Sequence, residues 1–144
     1  MDFSRAREYL ESGGYTLVLD DGNTLLTSKA RGVAPLLAFL EEGRDLSAFR
    51  AVDKVVGKAA AFLYLLLGIR SIYAITVSES ALALLRENGV LVEYHQCVPR
   101  IRNREGSGFC PMESAVFEEQ DPKSALVAIK QTLFKLRKSR SAEK

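Results

Sequence analysis

The sequence has few residues of the kinds that bind metal ions tightly. It contains two cysteines, Cys97 and Cys110, and one histidine, His95. A structural zinc site is usually tetrahedral with a cysteine or histidine at each corner, so these residues do not complete one. Neither a C-x-x-C pair nor an H-E-x-x-H motif is present. We therefore predict no metal site and no cofactor.

Long apolar segments are also absent. The longest run, Ala59 to Leu67, is well short of the roughly 20 residues that a membrane-spanning helix needs, so it predicts a buried helix and no membrane association. The first residues, MDFSRAREYL, have no apolar stretch, and we expect no signal peptide. Free thiols in a cytoplasm are therefore expected, and a disulfide between Cys97 and Cys110 is the alternative.

The sequence has no large excess of charge of either sign, because its formal net charge is only +2. We therefore do not expect a nucleic-acid partner. The final segment, KLRKSRSAEK, is the exception, with five basic residues and one acid. We expect residues 139–144 to form a basic disordered tail, and a contact with RNA or phosphate is the alternative. Residues 1–138 are expected to form a single domain, since a chain of 144 residues suits one hydrophobic core.

The apolar and glycine patterns predict alternating helices and strands. A strand, a helix and a second strand in succession should form a right-handed parallel crossover. Combined with an earlier hairpin, this gives an α/β domain with a mixed sheet in a three-layer α/β/α arrangement. The predicted elements are a helix over Ser4–Glu11, a hairpin over Tyr15–Ser28, helices over Val33–Leu40 and Asp53–Leu67, a strand over Ser71–Val77, a helix over Ser80–Glu87, a strand over Val90–Tyr94, and a helix after Asp121-Pro122.

The start of the predicted central helix is the first candidate site. Asp53 suits the N-cap, and Lys54 and Lys58 would share one helix face. Gly57 would be about 1 kcal/mol less favourable than alanine inside a helix, so its presence predicts a close approach to the backbone. A helix N-terminus with two ammonium groups would attract an anion. The alternative is an N-cap with surface lysines and tight packing.

Ser78 and Glu79 form a second candidate site. They follow a predicted strand and precede a predicted helix, at the carboxyl end of the sheet, where open α/β sheets bind ligands. Helix capping by serine, with a glutamate in the first turn, explains the same residues without a ligand. His95 lies at a predicted strand end, either as a structural histidine or as a base acting on Cys110.

The segment NREGSGFCPME, residues 103–113, is the third candidate site. Its last part predicts a helix that has Cys110 at the cap, Pro111 at the first position and Glu113 closing the start. A thiol at a helix N-terminus is favoured as thiolate, and Arg102 and Arg104 would add positive charge. Gly106 and Gly108 would let backbone N–H groups approach a ligand, or simply permit a tight turn. The alternative is a structural cysteine buried beneath the loop.

The hairpin, the segment DKVVGKAAA, the strand-helix-strand unit and NREGSGFCPME together resemble one uncharacterised bacterial and archaeal family. It is a domain of unknown function placed with the cytidine-deaminase-like fold, and the resemblance covers roughly Tyr15 to Leu136. It implies a central helix packed on a mixed sheet, with a ligand pocket at that helix's start. Asp53, Lys54 and Lys58 would form one wall, Ser78 and Glu79 another, and Asn103 and Cys110 would cover the mouth.

The same resemblance provides a test for zinc chemistry. Zinc deaminases need a His or Cys ligand with a Glu at the central helix start, then P-C-x-x-C at the next strand-to-helix turn. The sequence has Asp53-Lys54-Val55 at the first place and Ser78-Glu79-Ser80 at the second. Neither place offers a ligand, so we do not expect zinc-dependent deamination.

Two functions of different classes follow. The first is an enzyme with Cys110 as nucleophile, Lys54 or Lys58 holding an anionic or nucleotide-like substrate, and Asp53 or Glu113 moving protons during group transfer or hydrolysis. The second is a non-catalytic binding module for a small anionic ligand, a protein or RNA. Self-association into a homo-oligomer is compatible with either. The candidate ligand-binding residues are Lys54, Ser78, Glu79, Asn103, Arg104 and Gly108.

Overall fold

The computed structural model describes residues 3–30, 32–102 and 110–142. Five strands and six helices follow one another along these ranges. They are α1 (Ser4–Gly13), β1 (Leu17–Asp20), β2 (Leu25–Ser28), α2 (Ala34–Glu41), β3 (Arg50–Val56), α3 (Lys58–Leu67), β4 (Ser71–Ser78), α4 (Glu79–Glu87), β5 (Leu91–Val98), α5 (Pro111–Val116) and α6 (Pro122–Ala142).

The strands form one mixed sheet in the order β2-β1-β3-β4-β5. The β1 strand pairs antiparallel with both β2 and β3, whereas β3, β4 and β5 run parallel to one another. The predicted hairpin and the predicted parallel pair around α4 are therefore confirmed. Because β3, β4 and β5 are parallel, their carboxyl ends lie at the same end of the sheet. The helices α3 and α4 connect these strands.

Helices cover both faces of the sheet. On one face, Phe3, Ala6 and Leu10 from the N-terminal segment and α1 pack with Val18 and Tyr73. On the other face, buried residues from α2, α3, α4, α5 and α6 join the sheet in a larger cluster. The α/β character and the three-layer α/β/α arrangement predicted from the sequence are confirmed. None of the described helices is both long and apolar enough to cross a bilayer.

The prediction of a helix beginning at Asp53 is wrong. The segment Arg50–Val56 is strand β3, and α3 begins at Lys58 with Gly57 as its N-cap residue. Asp53 pairs with Leu17 on one side and Ala74 on the other, so neighbouring strands take up its backbone groups. Lys54 is therefore an exposed strand residue and does not share a helix face with Lys58. Strand pairing on both sides outweighs the local helix pattern.

The end of the chain agrees with the predicted helix starts. Pro111 is the first residue of α5, and Cys110 is its N-cap residue. Before α6, the Asp121 carboxylate accepts the Ser124 N–H at 3.0 Å, which is the predicted cap. The helix α6 runs to Ala142 and so extends into the predicted tail of residues 139–144. Residues 143–144 lie outside the described ranges, and the domain boundary at residue 138 stays a prediction.

Candidate functional site

The Glu113 carboxylate joins α5 to the start of α3. Its Oε1 accepts the Lys58 N–H at 2.6 Å, and its Oε2 accepts the Ala59 N–H at 3.0 Å. The first amides of a helix have no partner within that helix, and the positive end of the helix dipole attracts a carboxylate. The buried Glu113, which is 8% exposed, therefore supplies from another helix the capping carboxylate that the N-cap residue Gly57 lacks. We expected Glu113 to close the start of its own helix, and this was wrong.

Gly57 is required by that contact. A Cβ atom at this position would overlap the Glu113 carboxylate. The Gly57 φ of −97° suits any residue, so the requirement is for space and not for an unusual backbone conformation. The prediction that a group approaches the backbone closely at Gly57 is confirmed. That group is a carboxylate of the chain itself, and it occupies two of the amides that an external anion would use.

Lys58 makes the reciprocal contact. Its Nζ donates to the Phe117 carbonyl oxygen at 2.8 Å. Phe117 is the C-cap residue of α5, and cations are favoured at helix C-termini. Lys58 Nζ also lies 5.7 Å from the Phe62 ring centroid. Both charged groups therefore hold α3 and α5 together, a structural role that accounts for their position without a substrate.

Asp53 and Tyr64 form a second polar pair, between β3 and α3. The Tyr64 hydroxyl donates to Asp53 Oδ2 at 2.6 Å, and the Val55 N–H donates to Oδ1 at 3.3 Å. Burial raises the pKa of Asp53 to about 7, although these donors and the Lys54 amide favour the ionised form. The pKa of the fully buried Tyr64 is raised well above its usual value by burial and then by the Asp53 charge. The Asp53 carboxyl of this pair therefore has a pKa close to neutral pH.

Ser78 and Glu79 lie where α4 begins. The Ser78 hydroxyl accepts the Ala81 N–H at 3.2 Å, and the residue is 1% exposed. The capping interpretation of Ser78 is therefore confirmed. Glu79 is exposed in the first turn of α4, as a helix dipole favours.

Both cysteines are free and half-buried. Cys110 makes no side-chain capping bond, and its N–H donates to the Ile101 carbonyl at 3.1 Å. Cys97 and His95 both belong to β5, which extends four residues beyond the predicted strand end, to Val98. His95 is exposed there. Three other predicted site residues, Asn103, Arg104 and Gly108, lie outside the described residues.

A cavity of about 570 Å³ opens at the carboxyl ends of the parallel strands. Val55, Thr76 and Val98 line it from β3, β4 and β5, and residues 99–102 complete the lining. Such a position is where open α/β sheets bind ligands, and the volume is typical of small-molecule pockets. A smaller cavity of about 360 Å³ shares Arg100 with it. The Arg100 guanidinium lies 4.4 Å from the Phe117 ring centroid.

The structure brings only some of the predicted site residues together. Glu113 and Lys58 meet at the α3–α5 contact, and Cys110 begins the same short helix as Glu113. Asp53 is bonded instead to Tyr64. None of these residues lines either of the two cavities just described. Sequence reasoning placed Arg102 beside Cys110 and not in this cavity, and it missed Arg100 and Tyr64. The only signal for Tyr64 was one hydroxyl inside the apolar run AAAFLYLLL.

The potential metal ligands are not grouped in the part of the chain that the structure describes. Within residues 3–30, 32–102 and 110–142, no group of three or more His, Cys, Asp or Glu side chains is placed to hold a metal ion. Glu113 and Asp53 each belong to separate hydrogen-bonded pairs.

Fold and site together define a three-layer α/β/α domain with a cavity at the carboxyl ends of its parallel strands. The chain belongs to the TM1506 family, a domain of unknown function designated DUF1893, whose sequence profile matches residues 5–133. The predicted membership of a family of unknown function is thereby confirmed.

A solved structure supports the same assignment. The chain is similar to the crystal structure of a DUF1893 family protein, TM1506, from Thermotoga maritima, with 30% sequence identity and a TM-score of 0.81. The match covers 91% of this chain and 87% of that chain. No functionally curated protein matches the sequence.

Proposed function

We propose that this protein binds a small anionic, nucleotide-like ligand in the cavity at the carboxyl ends of β3, β4 and β5. The observation that carries the proposal is the lining of that cavity. Arg100 and Arg102 contribute to its wall, and Val55, Val98 and Ile101 make other parts of it apolar. Guanidinium groups bind phosphate and carboxylate in a bidentate manner, and an apolar surface suits a base or another flat ring.

Binding without catalysis accounts best for the polar groups nearby. Glu113 and Lys58, two of the residues predicted to act in catalysis, are engaged in holding α3 against α5. Ser78 is engaged in capping α4. A ligand in the cavity would therefore meet arginines and apolar side chains instead of these groups.

The cytidine-deaminase-like fold implied by the sequence resemblance is part of the proposal. Support comes from the parallel order β3-α3-β4-α4-β5, in which one helix follows each of the first two strands. The helix start that would carry a deaminase ligand is Gly57-Lys58-Ala59, which has no His, Cys or Glu. The proposal therefore keeps the pocket of that fold without its zinc chemistry.

The binding proposal can be tested with purified protein and a panel of nucleoside monophosphates, with inorganic phosphate as a separate probe. Arg100→Gln and Arg102→Gln should each weaken binding by about tenfold, the usual loss for a charge-assisted hydrogen bond. Arg5→Gln on α1 is the matched control, because Arg5 is exposed and donates to Gly22 O at 3.1 Å. Titration calorimetry and thermal shift give the affinities. No binding of any probe to the unaltered protein would contradict the proposal.

Cysteine-dependent group transfer or hydrolysis is the second candidate, because the Cys110 thiol makes no capping bond and is only half-buried. A reducing cytoplasm would keep it available. In this alternative the Cys110 sulfur forms a bond to the electrophilic atom of the substrate while the bond to the leaving group breaks, and the leaving group takes up the thiol proton. Water, or an acceptor, then cleaves the covalent intermediate and returns a proton to the thiol. Asp53, with a pKa of about 7, would carry the proton in both steps.

Alkylation separates the two candidates. In a Cys97→Ser background, an enzyme should show Cys110 reacting with iodoacetamide at neutral pH faster than free cysteine does. A rate equal to that of free cysteine, or slower, argues against the nucleophile. Ligand stabilisation that survives Cys110→Ser supports binding alone.

A further inference from the structure

The β5 strand forms one edge of the sheet and spans Leu91–Val98. The strand at the opposite edge, β2, has only 4 residues, whereas β5 has 8. Proteins usually protect an edge by keeping it short or by placing lysine, proline or a bulge there. The segment LVEYHQCV contains no lysine, proline or glycine. Among the described strands none pairs with its outer side, so β5 is a long edge whose outward backbone groups have no strand partner there.

The hydrogen bonds show which backbone groups point outward. The Leu91 N–H donates to the Arg70 carbonyl at 2.9 Å, on the side of β4. The next carbonyl, that of Val92, accepts instead from Arg86 Nη2, at the long distance of 3.5 Å. Backbone groups alternate along a strand, so those of Val92, Tyr94 and Gln96 point away from the sheet.

The side chains of β5 are unusually open for a strand in a covered sheet. Leu91 is 47% exposed and Tyr94 is 40% exposed. Glu93 and His95 are exposed on the other side of the strand from Tyr94. The edge therefore offers apolar surface, one acidic group and one imidazole together with its outward backbone groups.

We propose that β5 pairs antiparallel with β5 of a second copy of this chain, so that the two sheets become one continuous sheet. Tyr94 lies opposite the partner's Tyr94 at the two-fold axis, and Val92 lies opposite the partner's Gln96. These pairs use the outward backbone groups. Glu93 then lies opposite the partner's His95, and the same pair recurs on the other side of the axis. An imidazole offers a ring N–H to a carboxylate, with or without a positive charge.

Charge selects this register over its neighbours. A two-fold axis at Glu93 would set two Glu93 carboxylates directly opposite each other, at a position where Cα atoms approach to about 4.5 Å, and like charges there are destabilising. An axis at His95 would leave Glu93 opposite Cys97, with no opposite charge. Only the axis at Tyr94 pairs each Glu93 with a His95. This self-complementarity identifies a second copy, and not an unrelated strand, as the partner.

The Arg86 side chain must move away from the edge of β5 when the strands pair. Its guanidinium lies along this edge, 5.9 Å from the Tyr94 ring centroid, and makes the 3.5 Å contact with Val92 O. A contact of that length is weak, and the exposed arginine has room to turn into solvent.

The mass in solution tests the pairing. At about 100 µM, well above the Kd of a micromolar contact, sedimentation equilibrium should give the full chain twice its monomer mass of 15.9 kDa. His95→Glu places carboxylates opposite each other at both pairs and should raise the dimer Kd by at least about tenfold. Gln120→Glu, an equal charge change in an exposed loop, should leave the dimer intact. Glu93→Lys combined with His95→Glu restores opposite charges and should restore the dimer.

The backbone is tested separately. Tyr94→Pro removes an outward N–H without removing a bond to β4, and edge strands tolerate proline at such positions. The variant should be monomeric with a native circular dichroism spectrum. In the unaltered chain, the Val92, Tyr94 and Gln96 amides should become more protected from hydrogen exchange as concentration rises.

Three results would overturn the proposal. The first is a chain that stays monomeric at the highest concentration tested. The second is a dimer that persists in both His95→Glu and Tyr94→Pro while the three amides exchange freely, since the interface would then be elsewhere. The third is protection of β5 that arises only when a different protein or peptide is added.

Discussion

The Asp53 carboxyl lies between β3 and α3, where the Tyr64 hydroxyl donates to it at 2.6 Å. Burial disfavours its ionised form and raises its pKa to about 7. Nothing adjacent in sequence produces this shift, because the desolvation comes from α3 packing over the sheet. A protonated carboxyl at neutral pH can donate a proton as well as accept one, which is why Asp53 is kept in the catalytic alternative.

The free energy of unfolding should depend on pH because of Asp53. In the unfolded chain the pKa of Asp53 returns to its ordinary 3.8. Between that value and about 7 the folded protein holds a proton that the unfolded chain has lost. Protonated Asp53 therefore contributes its full stabilisation of the folded protein below about pH 3.8. This stabilisation is lost as pH rises through the folded-state pKa of about 7.

Asp53→Asn mimics the protonated acid and removes the titration. The free energy of unfolding of the unaltered protein, relative to Asp53→Asn, should fall by up to about 3 kcal/mol between about pH 5 and about pH 8. Urea unfolding at several pH values measures this difference, and the common subtraction cancels the other titrating groups. A difference that does not change with pH would show that the acid has an ordinary pKa.

At the scale of helices and strands, the contact between α3 and α5 is the feature that organises the site. Glu113 caps α3, and Lys58 of α3 binds the C-terminal carbonyl of α5. Gly57 belongs to the same contact because only a residue without Cβ leaves room for the carboxylate. The start of α5 could be predicted from Pro111 and Cys110, whereas the destination of the Glu113 side chain could not.

Gly57→Ala should destabilise the protein by about 1–3 kcal/mol, the usual range for forcing an extra carbon into a packed site. The cost arises from the Glu113 carboxylate. In a Glu113→Ala background the same change should therefore cost much less, and the double-mutant cycle should show a coupling of more than about 0.5 kcal/mol. Urea unfolding of the four proteins gives the coupling. Additive effects would mean that Gly57 is needed for another reason.

The strand β3 shows why part of the fold escaped prediction. The run from Asp53 to Leu67 has the capping residue and the apolar content of a long helix, yet its first residues pair with β1 and β4. The strand forms because the hairpin and the later parallel strands provide hydrogen-bond partners on both sides. Those partners are distant in sequence, so local propensity does not include them.

At the scale of the whole molecule, the two faces of the sheet are covered unequally. Five helices contribute to the larger core, while among the described residues the N-terminal segment and α1 cover the opposite face. The second core is small, and each of its residues should carry a large share of its stability. The cavity and the edge strand β5 lie at the carboxyl ends and at one side of this layered arrangement.

Leu10→Ala should lower the free energy of unfolding by about 2–5 kcal/mol, as is usual for a buried leucine, because Leu10 is 3% exposed on the inner side of α1. The neighbouring Tyr9 is 46% exposed, so Tyr9→Ala is the matched control and should change stability by less than about 1 kcal/mol. Chemical unfolding followed by circular dichroism compares the two. A loss of less than about 1 kcal/mol in both variants would show that α1 contributes little to the stability of the fold.

The sequence by itself determined the elements whose signals are local. The helix α1, the hairpin, the start of α5 at Pro111 and the cap at Asp121 depend on residues a few positions apart. Together with the parallel pair around α4, they were enough to predict a three-layer α/β/α domain. Membership of a family of unknown function was predicted separately, from the resemblance that the segments DKVVGKAAA and NREGSGFCPME carry.

Only the tertiary structure decided how the polar residues are used. Glu113 and Lys58 are 55 residues apart in sequence, and their contact exists because α5 packs against the start of α3. The protonation of Asp53 depends on burial beneath α3, and the cavity depends on three strand ends meeting. Desolvation and long-range hydrogen bonds arise only when distant segments pack, and for this reason the sequence pattern did not contain them.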